Sequence, residues 1–262
     1  MIKRTPQRAL DWCAHRGGSA EALRQACPSA TVIRVEEQPQ RHAVAASGRW
    51  WSKWIGASAS SAAPVVAPDA LAPYGADMLW SNMGLHLVAD PEAQFVQWRR
   101  LIATDGFLMF TTLGPGTLVE LNALYADAGW GPALAPLVDM HDLGDMLVQA
   151  GFAEPVMDQE TLTLTWRDAA AAVAELRTLG GNAHPRRFAG LRTGHWRRQL
   201  LQALDRRCDG DGRVRLSIEL VYGHAFCTAP RVRLAEESRV GIDEMRAMMR
   251  SGKPSGGPGA LR

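Results

Sequence analysis

The feature that most constrains the fold of this chain is a repeated alternation. A short apolar run leads into a polar turn, and a stretch with apolar residues at helical spacing follows. "SATVIRVEE" (29–37), "FLMFTTLGPGTL" (107–118) and "RLSIELVYGHAF" (215–226) read as strands, and "APVVAPDALAP" (63–73) reads as a short strand and turn. "ADMLWSNMGLHLV" (76–88) reads as a strand running into a polar turn. Between them, "PEAQFVQWRRLIATDG" (91–106) puts Phe95, Val96, Trp98, Leu101 and Ile102 on one helical face and stops at Gly106. "MHDLGDMLVQAGF" (140–152) is a second amphipathic helix, with Gly151 as its stop. Strands alternating with helices predict an α/β fold with a parallel, doubly wound sheet. "ETLTLTW" (160–166) alternates with period two, as a half-buried strand does. It can pair antiparallel with 215–226 at one edge of the sheet. Residues 168–207 lie between these two strands, helical in pattern but broken by "GGNAHPRRFAG".

Composition narrows the partners. The 262 residues carry a net charge of only +2, without the strong basic bias of a nucleic-acid binder. Positive charge is nearly all arginine, which suits bidentate contacts to carboxylate and phosphate; genome base composition produces the same bias. Cys13, Cys27, Cys208 and Cys227 include no C-x-x-C pair, and no basic-then-apolar leader follows Met1, so reduced thiols in a cytoplasmic protein are expected. No apolar run approaches the roughly 20 residues that span a bilayer. "RHAVAASGRWWSKWIGASASSAAP" (41–64) reads as an insertion pinned by Trp50, Trp51 and Trp54, or as an aromatic surface for a partner. The expected organisation is one domain over 1–228 and a flexible tail over 229–262.

Ligands of doubly wound sheets sit at the carboxyl ends of the strands, and the polar signals fall there. The first strand leads into "DWCAHRGGS", where Gly17 and Gly18 permit a tight turn and Cys13 and His15 add side chains to it. A cofactor loop and an ordinary strand-to-helix turn both fit these residues. Glu36 follows the second strand, 25 residues after Asp11, where a carboxylate can accept from both ribose hydroxyls. Asp69 follows the third and could accept from an adenine amino group. Asn82, with Ser81 and His86, follows the fourth. After the fifth, Gly114, Gly116 and Thr117 offer backbone N–H groups and a hydroxyl to an anion. "VDMHDLGD" gathers Asp139, His141, Asp142 and Asp145, but reads as an acid-capped helix start, so no metal site is expected. There is no G-x-S-x-G elbow and no Walker loop.

"ADMLWSNMGLHLVADPEAQFVQWRRLIATDGFLMFTTLGPGTLVEL" resembles the middle of class I S-adenosylmethionine-dependent methyltransferases. "LGPGTLVEL" and "VDMHDLGDMLVQAGFAEPVMDQETLTLTW", with "ELRTLGGNA" and "LSIELVYGHAF", resemble more particularly the malonyl-carrier-protein O-methyltransferases of biotin synthesis. The likeness runs from about Ala9 to Phe226 and is strongest over 76–166. It implies a Rossmann-like, mainly parallel seven-stranded sheet with an antiparallel edge pair, and a helical insertion acting as a lid. It implies S-adenosyl-L-methionine as cofactor, with Asp11, Gly17, Gly18, Glu36, Asp69 and Asn82 around it: Asp11 at the methionine end, Glu36 at the ribose and Asp69 at the adenine.

The implied substrate is the free malonyl carboxylate on acyl carrier protein, with neither nucleic acid nor membrane as partner. A carboxylate is ionised near neutral pH, so catalysis needs positioning and water exclusion rather than a base. Gly116, Thr117 and Arg187 are the candidates to orient it. Arg186, Arg187, Arg192, Arg197 and Arg198 could also meet an acidic carrier protein, or form an ordinary solvated basic face. Two departures stand out. Family members carry a helical segment before the first strand, where this chain has residues 1–8, and Cys13 and His15 replace the first two glycines of the family's loop. An active methyltransferase and a non-catalytic binding protein with the same fold are therefore both entertained; a nicotinamide-dependent enzyme would share the sheet and the ribose acid.

Overall fold

A computed structural model describes residues 5–14, 19–37, 65–208 and 210–229. The tryptophan-rich 41–64 stretch, residues 230–262, and Gly17 and Gly18 lie outside the described residues. Seven strands form one sheet: β1 Arg8–Trp12, β2 Thr31–Val35, β3 Val65–Val66, β4 Ala76–Asn82, β5 Ile102–Leu113, β6 Ala153–Trp166 and β7 Val214–Phe226. Their order across the sheet is β3-β2-β1-β4-β5-β7-β6. The pairs from β3 to β5 are parallel, and β7 runs antiparallel to both β5 and β6. Chain order reverses between β1 and β4, and in sheets of this kind ligands bind at the carboxyl ends of the strands beside that switch point.

Six α-helices are described: α1 Ala20–Ala26, α2 Pro91–Leu101, α3 Val119–Asp127, α4 Met140–Gln149, α5 Ala169–Leu176 and α6 Gly194–Asp205. Helix α2 starts where it does because Asp90 accepts from the Ala93 N–H and Pro91 fills the first position, where no amide bond is lost. Its Phe95, Trp98 and Leu101 meet Leu143 and Leu147 of α4 over Leu10, Trp12, Leu79, Leu108 and Phe110 of the sheet. Trp98 and Phe95 are fully buried, with ring centroids 5.6 Å apart, and Trp98 also meets Trp12 edge-on at 5.9 Å. Residues of opposite parity face the other side, where Ala9, Met78 and Phe107 pack under Leu23 of α1.

A second core forms at one end. β5 pairs with β7 only over residues 220–226, whereas β6 follows β7 back to Val214. The start of β7 and the end of β6 therefore project past β5 as a two-stranded ribbon. Helices α3, α5 and α6 cover it through Leu121, Leu124, Ala169, Ala172, Leu200 and Leu204, packed against Trp166, Val214 and Leu216. Glu120 of α3 pins the ribbon, accepting from Ser217 N at 3.0 Å and from Ser217 Oγ at 2.5 Å.

Three boundaries differ from the sequence reading. β5 begins at Ile102, which the helical face had claimed: α2 ends at Leu101 and the strand follows directly. β6 begins at Ala153: its first residues alternate between half-buried and exposed, but Glu154, Pro155 and Asp158 on this edge strand break the apolar run that would mark a strand. Helix α3 falls where the pattern predicts no element, its apolar residues being spread around the helix rather than gathered on one face.

Candidate active site

Asp11 lies one residue before the end of β1, in register with Arg34 of β2 on one side and Trp80 of β4 on the other. Its side chain is fully buried, and among the described residues neither carboxylate oxygen has a hydrogen-bond partner of ordinary geometry. Burial pushes its pKa up from 3.8 to about 6; Arg34 opposes the shift, Glu36 adds to it, and the Ser19 hydroxyl opposes it. Ser19 is near enough to ease the charge, yet its Oγ also lacks a partner of ordinary hydrogen-bond geometry. Ser19 is the N-cap of α1 without a capping side-chain bond. A buried carboxylate and a buried hydroxyl, both unsatisfied, thus lie together beside the switch point. Unsatisfied buried polar groups of this kind are rare in folded proteins and call for a ligand or a water.

The residue that follows β1 has an uncommon backbone. Cys13 stands at φ 55°, in the left-handed region that glycine enters freely and other L-residues enter at a cost. Its N–H still reaches Val35 O, at 3.0 Å. The side chain finds space because Gly84 has none: a Cβ there would stand 3.3 Å from Cys13 Cβ and 3.1 Å from Ser81 Oγ. Met83 at φ 54°, just beyond β4, is also left-handed, as are Tyr74, Asp105, Leu118 and Glu154 elsewhere in the fold.

Glu36 follows β2 and is almost wholly buried, with its N–H on Val66 O at 3.0 Å. Asp69 lies in the short 3-10 turn Pro68–Ala70 just beyond β3 and is exposed. Asn82 ends β4, and its Oδ1 accepts from Thr111 Oγ1 at 2.6 Å. Met83 N donates to Thr111 O at 3.1 Å and to its Oγ1 at 3.0 Å, which fixes the exit of β4 to β5. Asp11, Glu36, Asp69 and Asn82 therefore mark the carboxyl ends of four consecutive strands of the sheet, and the charges of Asp11 and Glu36 are close enough to interact.

The 114–117 turn differs from expectation. Its donors are already engaged by Glu219 of β7: Gly116 N donates to Glu219 Oε2 at 2.7 Å, and Thr117 Oγ accepts from Glu219 N at 3.1 Å. Gly114 has no side chain because a Cβ there would overlap the Glu219 carboxylate, 2.8 Å from its Cδ. Gly116 N–H thus holds the Glu219 carboxylate while the Thr117 hydroxyl donates to Glu219 O at 3.2 Å, and in this conformation they do not offer free donors to a substrate. Nothing in the sequence near the turn marks Glu219, which stands 103 residues from Gly116. Arg187 is exposed in the helical insertion, its Nη1 3.3 Å from His184 O. The helix reading of "VDMHDLGD" stands: Asp139 caps α4, accepting from His141 N at 2.8 Å.

The fold has clear structural counterparts. The YcgJ protein of Bacillus subtilis covers 86% of this chain and 94% of its own, with a TM-score of 0.55 at 12% identity. A putative methyltransferase from Bacillus halodurans covers the same shares with a TM-score of 0.54 at 13% identity. No protein-family model matches the chain. Curated relatives decide the family. A malonyl-[acyl-carrier protein] O-methyltransferase of Gallionella capsiferriformans is 39% identical over 237 residues, 88% of this chain and 80% of that protein. The chain belongs to this family. The relative bearing the same name in Laribacter hongkongensis is 35% identical over 238 residues, covering 89% of this chain and 80% of its own. That of Halorhodospira halophila is 33% identical over 227 residues, covering 84% and 74%.

Proposed function

We propose that the protein transfers a methyl group from S-adenosyl-L-methionine to the free carboxylate of a malonyl thioester on acyl carrier protein, a step in making a biotin precursor. The observation that carries this reading is the pair of unsatisfied buried groups, Asp11 and Ser19, at the switch point of the sheet. Asp11 has two acceptor oxygens and no donor, so the residues suit a ligand that brings donors and positive charge, as the methionine end of this cofactor does. Glu36, at the end of the adjacent strand, suits the ribose hydroxyls. Asp69 suits the adenine amino group, with Asn82 at the end of β4; Gly17 and Gly18, expected in the cofactor loop, lie outside the described residues.

When bound, the cofactor supplies an activated methyl on a sulfonium. The side chains of this protein position the reactants and hold no proton for the reaction. Asp11 fixes the cofactor end by charge, and the left-handed turns after β1 and β4 hold the walls of the site without waiting for ligand. The helical insertion over 168–207 packs on the β6–β7 ribbon, and excluding water from the reacting groups would strengthen every polar contact among them. Esterification neutralises the malonyl carboxylate, which would otherwise be costly to bury in an apolar chain-elongation site. The part of Gly116 and Thr117 is to hold Glu219 and shape the wall, with Arg187 the remaining candidate to orient the substrate carboxylate.

The catalytic reading is favoured over a binding-only one because a relative 39% identical over 88% of this chain bears the methyltransferase name. Calorimetry with S-adenosylmethionine, followed by mass spectrometry of malonyl-acyl carrier protein after incubation with enzyme and cofactor, tests it. One added methyl on the acyl group is expected. No cofactor binding at millimolar concentration would refute the proposal.

A further inference from the structure

Between Glu175 and Asp205 there is no acidic residue, yet the stretch holds six arginines and two histidines, in a chain whose whole net charge is +2. Arg177, Arg186, Arg187, Arg197 and Arg198 are exposed, and Arg192 is half-buried. Among them Phe188 is 51% exposed and Leu191 95% exposed. A single exposed leucine means little. An aromatic and a leucine three residues apart, set within five arginines over 186–198, have the make-up of an interface: apolar anchors inside a charged rim.

The segment is also held in place. Asn182 Nδ2 donates to Pro132 O at 2.8 Å, and Arg192 Nη2 donates to Trp130 O at 2.6 Å. The Arg192 guanidinium lies 4.1 Å over the Phe188 ring and 4.8 Å over the Trp196 ring, and Trp196 packs edge-on against Trp130 at 5.6 Å. The Arg186 N–H donates to His184 Nδ1 at 2.9 Å. One arginine is thus spent on fixing the segment, while the others face solvent around an apolar pair. Such pre-organisation lowers the ordering cost of association.

We propose that residues 186–198 form the docking face for an acidic carrier protein, with Phe188 and Leu191 as anchors and Arg186, Arg197 and Arg198 as the steering rim. This rests on the proposed reaction, whose acyl group reaches the enzyme on a carrier. A carboxylate-free basic surface steers an acidic partner over distances beyond contact, and the apolar pair then holds it. The malonyl group itself is small, so selection of the protein-borne substrate falls to contacts remote from the reacting carbon.

The test uses the full chain and two variants, Arg186→Glu/Arg197→Glu and Leu191→Ser, all at exposed positions. Binding of holo-acyl carrier protein is measured by calorimetry. Methyl transfer is measured on malonyl-acyl carrier protein and on malonyl-coenzyme A, which presents the same thioester without the protein. The charge reversal should weaken carrier binding and raise KM for the carrier substrate by about tenfold or more, and Leu191→Ser by several-fold, with malonyl-coenzyme A turnover within about twofold. Unchanged carrier binding and KM in both variants overturns the docking face, even if the enzyme methylates malonyl-carrier protein as proposed. A protein that binds carrier through this face but methylates neither thioester upholds the docking face and overturns the proposed reaction.

Discussion

Asp11→Asn separates the pH-dependent burden of the buried carboxylate from everything else in the fold. Burial raises the Asp11 pKa from 3.8 to about 6, so the folded state favours the protonated acid more than the unfolded chain does. Below the unfolded value the carboxyl is neutral in both states and costs nothing extra. As pH rises through 4 to 6 the unfolded chain ionises first, and folding is penalised increasingly until the native carboxyl ionises as well. Above the folded value the penalty is complete, at about 3 kcal/mol for a shift of about two units. Asparagine keeps the shape and never ionises. Its own unsatisfied amide adds a constant offset, but no slope over this range.

Urea unfolding of both proteins without cofactor, from pH 4 to pH 8, should therefore give stability curves that diverge. The variant should gain about 3 kcal/mol on the wild type between pH 4 and pH 7. Saturating S-adenosylmethionine at a hundred times its Kd should stabilise the wild type by about 2.7 kcal/mol at pH 7 and less at pH 5, where Asp11 is protonated. Curves that stay parallel, or a wild type that gains on the variant towards pH 7, would refute the assignment of a buried, unpartnered carboxylate.

Cys13→Gly should relieve the left-handed strain, worth about 1–2 kcal/mol, less the chain entropy of glycine at about 0.5–1 kcal/mol. A small rise in Tm and tighter S-adenosylmethionine binding are expected by scanning and titration calorimetry; a fall in both would show that the thiol is needed. Gly114→Ala should displace Glu219 from the Gly116 N–H, costing about 2 kcal/mol, the scale of a hydrogen bond to a charged group. A Tm lowered by roughly 4–8 °C is the expected reading, and this loss should shrink in a Glu219→Ala background. Arg192→Ala removes the bond to Trp130 O and the stacking on two rings. Hydrogen exchange over residues 182–192 should accelerate while β1 and β4 remain protected; uniform acceleration would contradict a local role.

Element order was legible because each buried strand is a compact apolar run and helices α2 and α4 carry one apolar face. Asp11 and Glu36 were legible for a related reason: an acid directly after such a run stands at the carboxyl edge of a parallel sheet. Boundaries were less so. Ile102 is apolar and continues the face of α2, so periodicity alone does not mark where the helix ends and β5 begins. Residues 153–159 lie on an exposed edge and carry little pattern. The state of the 114–117 turn was not legible at all. Its donors are visible in "LGPGTL", but their occupant arrives on β7 from more than a hundred residues away, brought by antiparallel pairing that local sequence does not encode. Likewise "DWCAHRGGS" does not show that Cys13 takes a left-handed backbone.

The overhanging ribbon has a consequence for how such proteins diversify. Trp166 and Val214, where the chain leaves and rejoins the sheet, are register partners across a single β-bridge. Everything between them enters and returns through one narrow doorway. From the sheet, the insertion has no length: its ends meet in the same place whether it holds two helices or five, and lengthening a loop whose ends are already joined adds little closure entropy. This segment can therefore be replaced as a cassette, refitting the enzyme to another carrier while the cofactor site goes on folding as before.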